Sequence, residues 1–312
     1  MRTILCAAAA LVLAGLGTVS AEAAEKIAVL VSGKDASFEE TLKGFQGALT
    51  RQAVEATCEV HNLGGNAAGA VRAVQAVKKG GARLILTLGE HATDAAVKEI
   101  PDTPIVACMV LRADTLKKSP NVTGVGLEFP LEVQASWLQI LLPTARKIGV
   151  VYNPEENQKR VEAAGRILRA MGLTLVTQEV HSPQDVPAAI EGLTAKKVDV
   201  VWGIGDGVAM TPQTARTMIP IVLRSNIPLI GISPAWVKEG ALYSLDWDYA
   251  DLGAQAGDMA ANILKGTPPS AIPAASARKV LYVLNLKTAQ DLKVEFSDQI
   301  VKGARSTFSG GK

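Results

Sequence analysis

The chain has 312 residues, of which 20% are charged, and its formal net charge is only +2. Because Lys and Arg are scattered along the chain rather than gathered in a stripe, this composition excludes nucleic acid from the expected partners. About 290 residues follow the predicted leader, roughly twice the usual size of a domain, so we expect two domains.

The N-terminus predicts a secretory signal peptide over residues 1–23. Arg2 precedes an apolar run over residues 4–16, and small residues follow that run. The run is shorter than the roughly 20 apolar residues that an ordinary membrane-spanning helix needs. Cleavage at the end of this segment, or after Ala21, would release the mature chain into the periplasm. Cys6 lies inside the apolar run rather than after a lipobox, so we do not expect a lipoprotein.

From Lys26 onward, short β-branched runs alternate with longer stretches that have helical apolar spacing. This alternation predicts an α/β fold with a doubly wound parallel sheet. In the first lobe, we predict a helix that begins at a capping box of Ser37 and Glu40. The other elements predicted there are strands at residues 27–31, 58–63, 84–88, 105–110 and 122–125, and helices at residues 68–79 and 91–99.

After Phe129 and Pro130 the same pattern starts again, which predicts a second lobe of the same type. Asn153-Pro154 and Ser182-Pro183 are each typical of a helix start, because a capping side chain precedes a proline at the first helical position. The chain ends in a Gly- and Ser-rich segment, 306–312, that we expect to be disordered. The other elements predicted in this lobe are strands at residues 148–152, 173–179, 198–202, 228–232 and 281–283, and helices at residues 131–142 and 212–224.

The two cysteines beyond the leader are predicted to be free thiols. A doubly wound lobe favours the strand order 2-1-3-4-5, in which two strands separate the strand of Cys58 from that of Cys108. The gap is then roughly 14 Å, more than twice what a disulfide spans.

An ordered set of short segments resembles the ABC-transporter substrate-binding proteins of the tryptophan/tyrosine-type group. The similarity covers about residues 26–302, and single segments are less specific than their order. The segments are Gly44-Phe45, Asn121 to Val125, Leu141-Leu142-Pro143 with Lys147 to Pro154, Asp246 to Tyr249 with Leu252-Gly253, and Ile263 to Gly266.

This resemblance implies the type I periplasmic binding protein fold, in which the chain crosses between two lobes three times. Lobe 1 would hold residues 25–128 plus 247–266, and lobe 2 would hold residues 129–246 plus 267–304, followed by a flexible tail. The implied function is that of a monomeric, extracytoplasmic solute-binding protein that closes on an amino acid or related carboxylate and delivers it to an ABC permease in the inner membrane. The alternative is an exported ligand sensor that presents its bound state to a membrane receptor or histidine kinase.

Ligands of open α/β sheets lie outside the carboxyl ends of the strands, so the loops after the strands supply the candidate site. Asp206, set among glycines, is the strongest acidic candidate, and its alternative role is to cap its own backbone turn. Glu90 is a candidate for a ligand amine, and Trp236 for an aromatic wall. The full set of predicted ligand-binding residues is Ser32, Gly33, Ser37, Glu90, His91, Arg112, Tyr152, Asp206, Ser233, Trp236 and Asp246.

Several of these candidates have a second interpretation. Ser37 is either a ligand contact or a helix N-cap, and Tyr152 either faces the ligand or packs in the core. Arg112 either pairs with an acidic ligand or is an exposed loop residue.

The sequence does not favour an enzyme. It contains no Gly-x-Ser-x-Gly elbow, no His-Glu-x-x-His motif and no Walker loop. His61, His91 and His181 are far apart in sequence and do not suggest a metal site. We therefore expect neither a metal nor a cofactor.

Overall fold

The computed structural model describes residues 24–64, 67–111, 116 and 119–309. The predicted signal peptide and Arg112 lie outside the described residues. Among the described helices, none combines the length and the apolar character that a bilayer crossing requires.

Lobe 1 begins with alternating strands and helices around one sheet. Its central strands β3 and β4 are buried on both faces, which is why all their residues except Thr87 are apolar. The elements are β1 Glu25–Val31, α1 Ala36–Arg51, β2 Ala56–Asn62, α2 Ala67–Gly80, β3 Leu84–Leu88, α3 Glu90–Glu99, β4 Ile105–Val110 and β5 Val122–Gly126.

Lobe 2 repeats this arrangement. Asn153 caps α5 by accepting a hydrogen bond from the Glu155 N–H, as its Asn-Pro start predicts. The elements are α4 Leu131–Leu141, β6 Lys147–Tyr152, α5 Pro154–Ala170, β7 Thr174–Glu179, α6 Val186–Ala195, β8 Val200–Trp202, α7 Pro212–Arg224, β9 Leu229–Gly231, α8 Pro234–Glu239 and β10 Tyr243–Trp247.

After β10 the chain returns to lobe 1 and then to lobe 2 again. Helix α9 (Tyr249–Leu264) packs on α1, and β11 (Ala275–Ser276) pairs with β5. The remaining elements lie in lobe 2: β12 Val280–Asn285, α10 Leu286–Asp291, α11 Asp298–Gly303 and β13 Ser306–Phe308.

The two sheets have the orders β11-β5-β4-β3-β1-β2 and β13-β12-β10-β9-β8-β6-β7. The first contains the predicted order 2-1-3-4-5, and all its ladders are parallel. The fold is therefore the predicted pair of doubly wound α/β lobes. The second sheet adds one antiparallel pair, β10 with β12. The chain returns from lobe 1 and enters β12 at Val280, which lies beside Trp247 at the end of β10.

Three expectations about local structure need correction. Helix α1 begins at Ala36 with Asp35 as its N-cap residue, and no side chain caps it, so the box of Ser37 and Glu40 does not form. The third crossing lies between β11 and β12 rather than at residue 266, because β11 pairs with β5 and Ala277 joins the core of lobe 1. The predicted disordered tail contains β13, which pairs in parallel with β12.

Close packing of α1 against α9 explains the glycines in two of the family-like segments. A Cβ atom on Gly44 would lie 1.9 Å from the Ala250 carbonyl oxygen, and one on Gly253 would lie 1.8 Å from the Thr41 carbonyl oxygen. The two helix backbones therefore touch, and only glycine permits that approach.

Cys58 on β2 and Cys108 on β4 are both free, as the strand order predicts. Strands β1 and β3 lie between them. Burial raises the pKa of the Cys108 thiol to about 12.

Candidate functional site

A cavity of about 130 Å³ lies between the two lobes, next to the crossings. It opens at the carboxyl ends of β4 and β5 in lobe 1 and of β8, β9 and β10 in lobe 2, the position expected for a ligand in this class of fold. We call it the inter-lobe cavity. Its lining residues are Leu111, Leu127, Glu128, Phe129, Gln134, Arg160, Trp202, Gly203, Gly205, Ile230, Gly231, Ile232, Tyr243, Leu245 and Trp247.

Aromatic and aliphatic side chains form most of the cavity wall. Trp202 ends β8 and is only 2% exposed, and Tyr243 lies two strands away on β10, with Ile230 of β9 between them. The rings of Phe129 and Trp247 stack with their centroids 5.9 Å apart and an angle of 12° between their planes. Such a wall favours an apolar or aromatic group on the ligand.

One ion pair supplies the charge in this lining. Glu128 follows β5 at the first crossing, and Arg160 lies on α5 of lobe 2, so the pair joins the two lobes. The Arg160 side chain is 18% exposed and that of Glu128 is 24% exposed. A guanidinium and a carboxylate in a partly desolvated cavity can bind a ligand that carries both an anion and a cation.

Asp206 is buried, and its carboxylate is occupied by the protein. Oδ1 accepts hydrogen bonds from the N–H groups of Val208 (2.9 Å) and Ala209 (2.7 Å). Oδ2 accepts from the Asn153 N–H at 2.7 Å and from Asn157 Nδ2 at 2.8 Å. Four donors match the acceptor capacity of a carboxylate, so this geometry favours the turn-capping interpretation.

Tyr152 lies in the core of lobe 2 rather than in the inter-lobe cavity. Its hydroxyl group is 2.8 Å from Gln158 Oε1 and 3.0 Å from Glu179 Oε1. Burial, followed by the Glu179 carboxylate, raises the pKa of the phenol to about 12.

The other candidates from lobe 2 also lie outside the cavity lining. Trp236 lies on α8 and is buried in a core that it shares with α7, where its Cβ fills the space that a side chain on Gly231 would need. Ser233 is the N-cap residue of α8 and makes no side-chain cap bond. Asp246 is buried and pairs with Arg305 at 3.2 Å.

The candidates from lobe 1 lie after β1 and in the first turns of α1 and α3. Ser32 Oγ accepts a hydrogen bond from the Ala92 N–H at 2.9 Å and so caps that helix. The Gly33 carbonyl oxygen accepts a hydrogen bond from Asn62 Nδ2, and the Ser37 carbonyl oxygen accepts one from Thr41 Oγ1.

Glu90 and His91 are exposed in the first turn of α3. Glu90 contributes to a second cavity whose described lining belongs to lobe 1 alone.

The sequence reasoning missed the main lining residues. Glu128 follows a predicted strand, so the strand-end rule applied to β5 would have found it. Arg160 lies two turns inside a helix and carries no local signal. Trp247 was not among the predicted residues, although it packs on Phe129 and lines the cavity.

Within the described ranges, no group of three or more His, Cys, Asp or Glu side chains is arranged to hold a metal ion.

A model of the family described as ABC transporter substrate binding protein matches residues 26–308. The chain belongs to this family. The family consists of solute-binding proteins, which act outside the cytoplasm with an ABC permease.

Two individual proteins are similar to this chain at about a quarter sequence identity. A tyrosine-binding protein of Clostridioides difficile is 26% identical over an alignment of 225 residues, which covers 68% of this chain and 63% of that protein. The match therefore spans less than two thirds of that relative. An uncharacterized protein of Rickettsia prowazekii is 25% identical over 266 residues, 85% of this chain and 84% of that one.

Solved structures show the same fold. An ABC domain from Streptococcus pneumoniae in complex with L-Trp has a TM-score of 0.63 and 24% identity, with 91% of this chain and 100% of that one covered. The ligand-free, open structure of a substrate-binding protein with adhesive properties from Clostridium difficile has a TM-score of 0.75 and 22% identity. The match covers 92% of this chain and 100% of that one. These similarities establish the type I periplasmic fold.

Proposed function

We propose that this chain is the periplasmic binding component of an ABC importer and that it closes its lobes on an amino acid with an apolar or aromatic side chain. The observation that carries this proposal is the Glu128–Arg160 ion pair in an aromatic-walled cavity between the lobes. The α-carboxylate of the ligand would bind Arg160, and its ammonium group would bind Glu128.

The size of the cavity supports an apolar side chain of moderate volume. A cavity of about 150 Å³ lined by aliphatic and aromatic residues accepts benzene, and the inter-lobe cavity has about 130 Å³. The relative named as a tyrosine-binding protein supports the same ligand class. The family description names an ABC transporter, which supports transport over the sensor alternative.

The proposed ligand contacts differ from those predicted from the sequence. Glu128 and Arg160 replace Asp206 as the charged contacts, because the Asp206 carboxylate already accepts four hydrogen bonds. Trp202 and Trp247 replace Trp236 as the aromatic wall, because Trp236 is buried in the core.

Thermal-shift measurements with matched ligands test this function. L-Phenylalanine carries both charges, phenethylamine lacks the carboxylate and phenylpropionate lacks the amine. If the site requires both charges, only the amino acid will raise the melting temperature strongly. A ligand at a hundred times its Kd contributes about 2.7 kcal/mol to the stability of the folded state. The panel also includes L-tyrosine, L-tryptophan and L-leucine.

Two variants on one helix provide the control. Arg160→Gln should abolish the stabilisation by the amino acid, whereas Arg166→Gln should preserve it, because Arg166 is exposed and does not line the inter-lobe cavity. Failure of all the amino acids to stabilise the unmodified protein would refute the ligand class. Equal stabilisation of Arg160→Gln and the unmodified protein would refute the assigned carboxylate contact.

A further inference from the structure

Trp247 connects all three crossings between the lobes. It is the last residue of β10, at the second crossing, and it pairs with Val280 at the start of β12, just after the third crossing. Its indole Nε1–H donates a hydrogen bond to the Leu127 carbonyl oxygen at the first crossing. Its ring stacks on Phe129, which also belongs to the first crossing.

The same residue is tied to elements on both sides of the hinge. The Trp247 carbonyl oxygen accepts a hydrogen bond from Arg305, which precedes β13 in lobe 2. Arg305 also lies 3.7 Å from Glu40 on α1 of lobe 1, and its guanidinium is 5.6 Å from the centre of the Tyr249 ring. Trp247 therefore contacts, directly or through Arg305, segments of both lobes and of the crossings between them.

Trp247 also lines the inter-lobe cavity. A ligand in that cavity touches the indole that holds the crossings together. Because a ligand shifts a conformational equilibrium only through contacts that differ between the two states, a residue shared by the cavity and the hinge is well placed to supply that difference.

We propose that Trp247 is the positioning residue through which an occupied inter-lobe cavity fixes the angle between the lobes. This inference rests on the proposed function, since it takes lobe closure on a ligand as given. The indole N–H bond to Leu127 holds the first and second crossings at a defined separation, and ring contact with the ligand restrains that bond further. Without the N–H, the ligand-free lobes sample a wider range of angles.

Distances between spin labels measure this directly. The labels are attached to Glu39→Cys and Glu155→Cys, two exposed positions in the first turns of α1 and α5, in a chain that starts at residue 24 and also carries Cys58→Ser. Cys108 is fully buried and stays unlabelled. Trp247→Phe keeps an aromatic ring for Phe129 and removes the N–H donor. Trp137→Phe is the control, because Trp137 packs on Tyr282 within lobe 2 and does not line the cavity.

In the ligand-free protein, Trp247→Phe should broaden the distance distribution, and Trp137→Phe should leave it unchanged. With L-tyrosine or L-tryptophan as probe, Trp247→Phe should require about tenfold more probe for the same closure, a typical size for coupling between two parts of a protein. A Trp247→Phe variant with a lowered melting temperature but an unchanged distance distribution would refute the proposal and leave a packing role only.

The ligand-free comparison separates this inference from the proposed function. If neither probe closes the unmodified protein, the assigned ligand class is wrong, whereas the ligand-free distributions still decide the role of Trp247. If both probes close the unmodified protein and Trp247→Phe closes at the same probe concentration with the same ligand-free distribution, the function stands and the role of Trp247 is refuted.

Discussion

Gly44 and Gly47 lie three residues apart on α1, and we predict that alanine substitutions at the two positions have opposite effects on stability. A Cβ atom at Gly44 would lie 1.9 Å from the Ala250 carbonyl oxygen on α9. A Cβ atom at Gly47 would lie 3.5 Å from its nearest neighbour, Nη1 of Arg51, which is the far end of a flexible side chain. The two substitutions add the same methyl group to the same helix.

The magnitudes follow from these distances. A close carbon–oxygen contact needs about 3.3 Å, so Gly44→Ala forces α1 and α9 apart or distorts them locally. Overpacking of this kind costs about 1 to 3 kcal/mol, and we expect the upper end because the obstacle is helix backbone. Alanine recovers about 1 kcal/mol of helix propensity at either position. Gly44→Ala should therefore lower the free energy of unfolding by about 2 kcal/mol, and Gly47→Ala should raise it by up to about 1 kcal/mol.

Urea denaturation followed by circular dichroism measures both changes. The slope of the free energy against urea concentration should stay the same in the two variants, since the surface exposed on unfolding does not change. If Gly44→Ala is as stable as Gly47→Ala, the helices relax at no cost and the argument that backbone contact requires glycine at this position is refuted.

Three further predictions concern side chains away from the inter-lobe cavity. In a chain that starts at residue 24, a thiol reagent should modify Cys58 before Cys108, because burial raises the pKa of the Cys108 thiol to about 12; equal rates in the folded protein would contradict this. Asp206→Asn should lower the free energy of unfolding by about 3 kcal/mol, because the amide turns a donor toward N–H groups that need an acceptor; a change below about 0.5 kcal/mol would contradict the four-bond geometry. Hydrogen bonds from the Ser182 side chain, and then from the backbone N–H groups of His181 and Ser182, lower the pKa of Asp185. A carboxyl group whose pKa is lowered by folding stabilises the protein above its unfolded pKa of about 3.9 and loses that contribution as the pH falls through the folded value. The difference in melting temperature between Asp185→Asn and the unmodified protein should therefore shrink below about pH 4, and a constant difference would contradict this.

The fold was predictable where the sequence carries a strong local pattern of apolar residues. Strands β3 and β4 have the predicted bounds because each is a continuous apolar run between turn residues. The strand order followed from the rules for parallel sheets and not from any pair of residues. In contrast, β13 has only three residues, Ser306–Phe308, and no apolar pattern. Its pairing with β12 depends on the preceding segment, where the Arg305 N–H donates to the Tyr282 carbonyl oxygen.

The site was predictable only to the level of the loops, because side-chain direction depends on the register of the strand. Along β10, Tyr243, Leu245 and Trp247 line the cavity. Side chains alternate along a strand, so Asp246 projects to the opposite face and pairs with Arg305. The sequence analysis chose Asp246, whereas its two neighbours, Leu245 and Trp247, line the cavity. A shift by one residue reverses which side chains face the cavity.

The overlap between the cavity wall and the crossings has a consequence for how this protein responds to substitution. Leu127, Phe129 and Trp247 line the cavity and also hold the first and second crossings together. Gly44 lies at the interface of α1 and α9, outside the cavity lining. Substitution at Gly44 should therefore change the free energy of unfolding and leave the distribution of lobe angles unchanged, whereas Trp247→Phe should change that distribution. If the two quantities instead moved together in both variants, stability and closure would be one property of the whole molecule, and no single residue of the hinge could be assigned to closure.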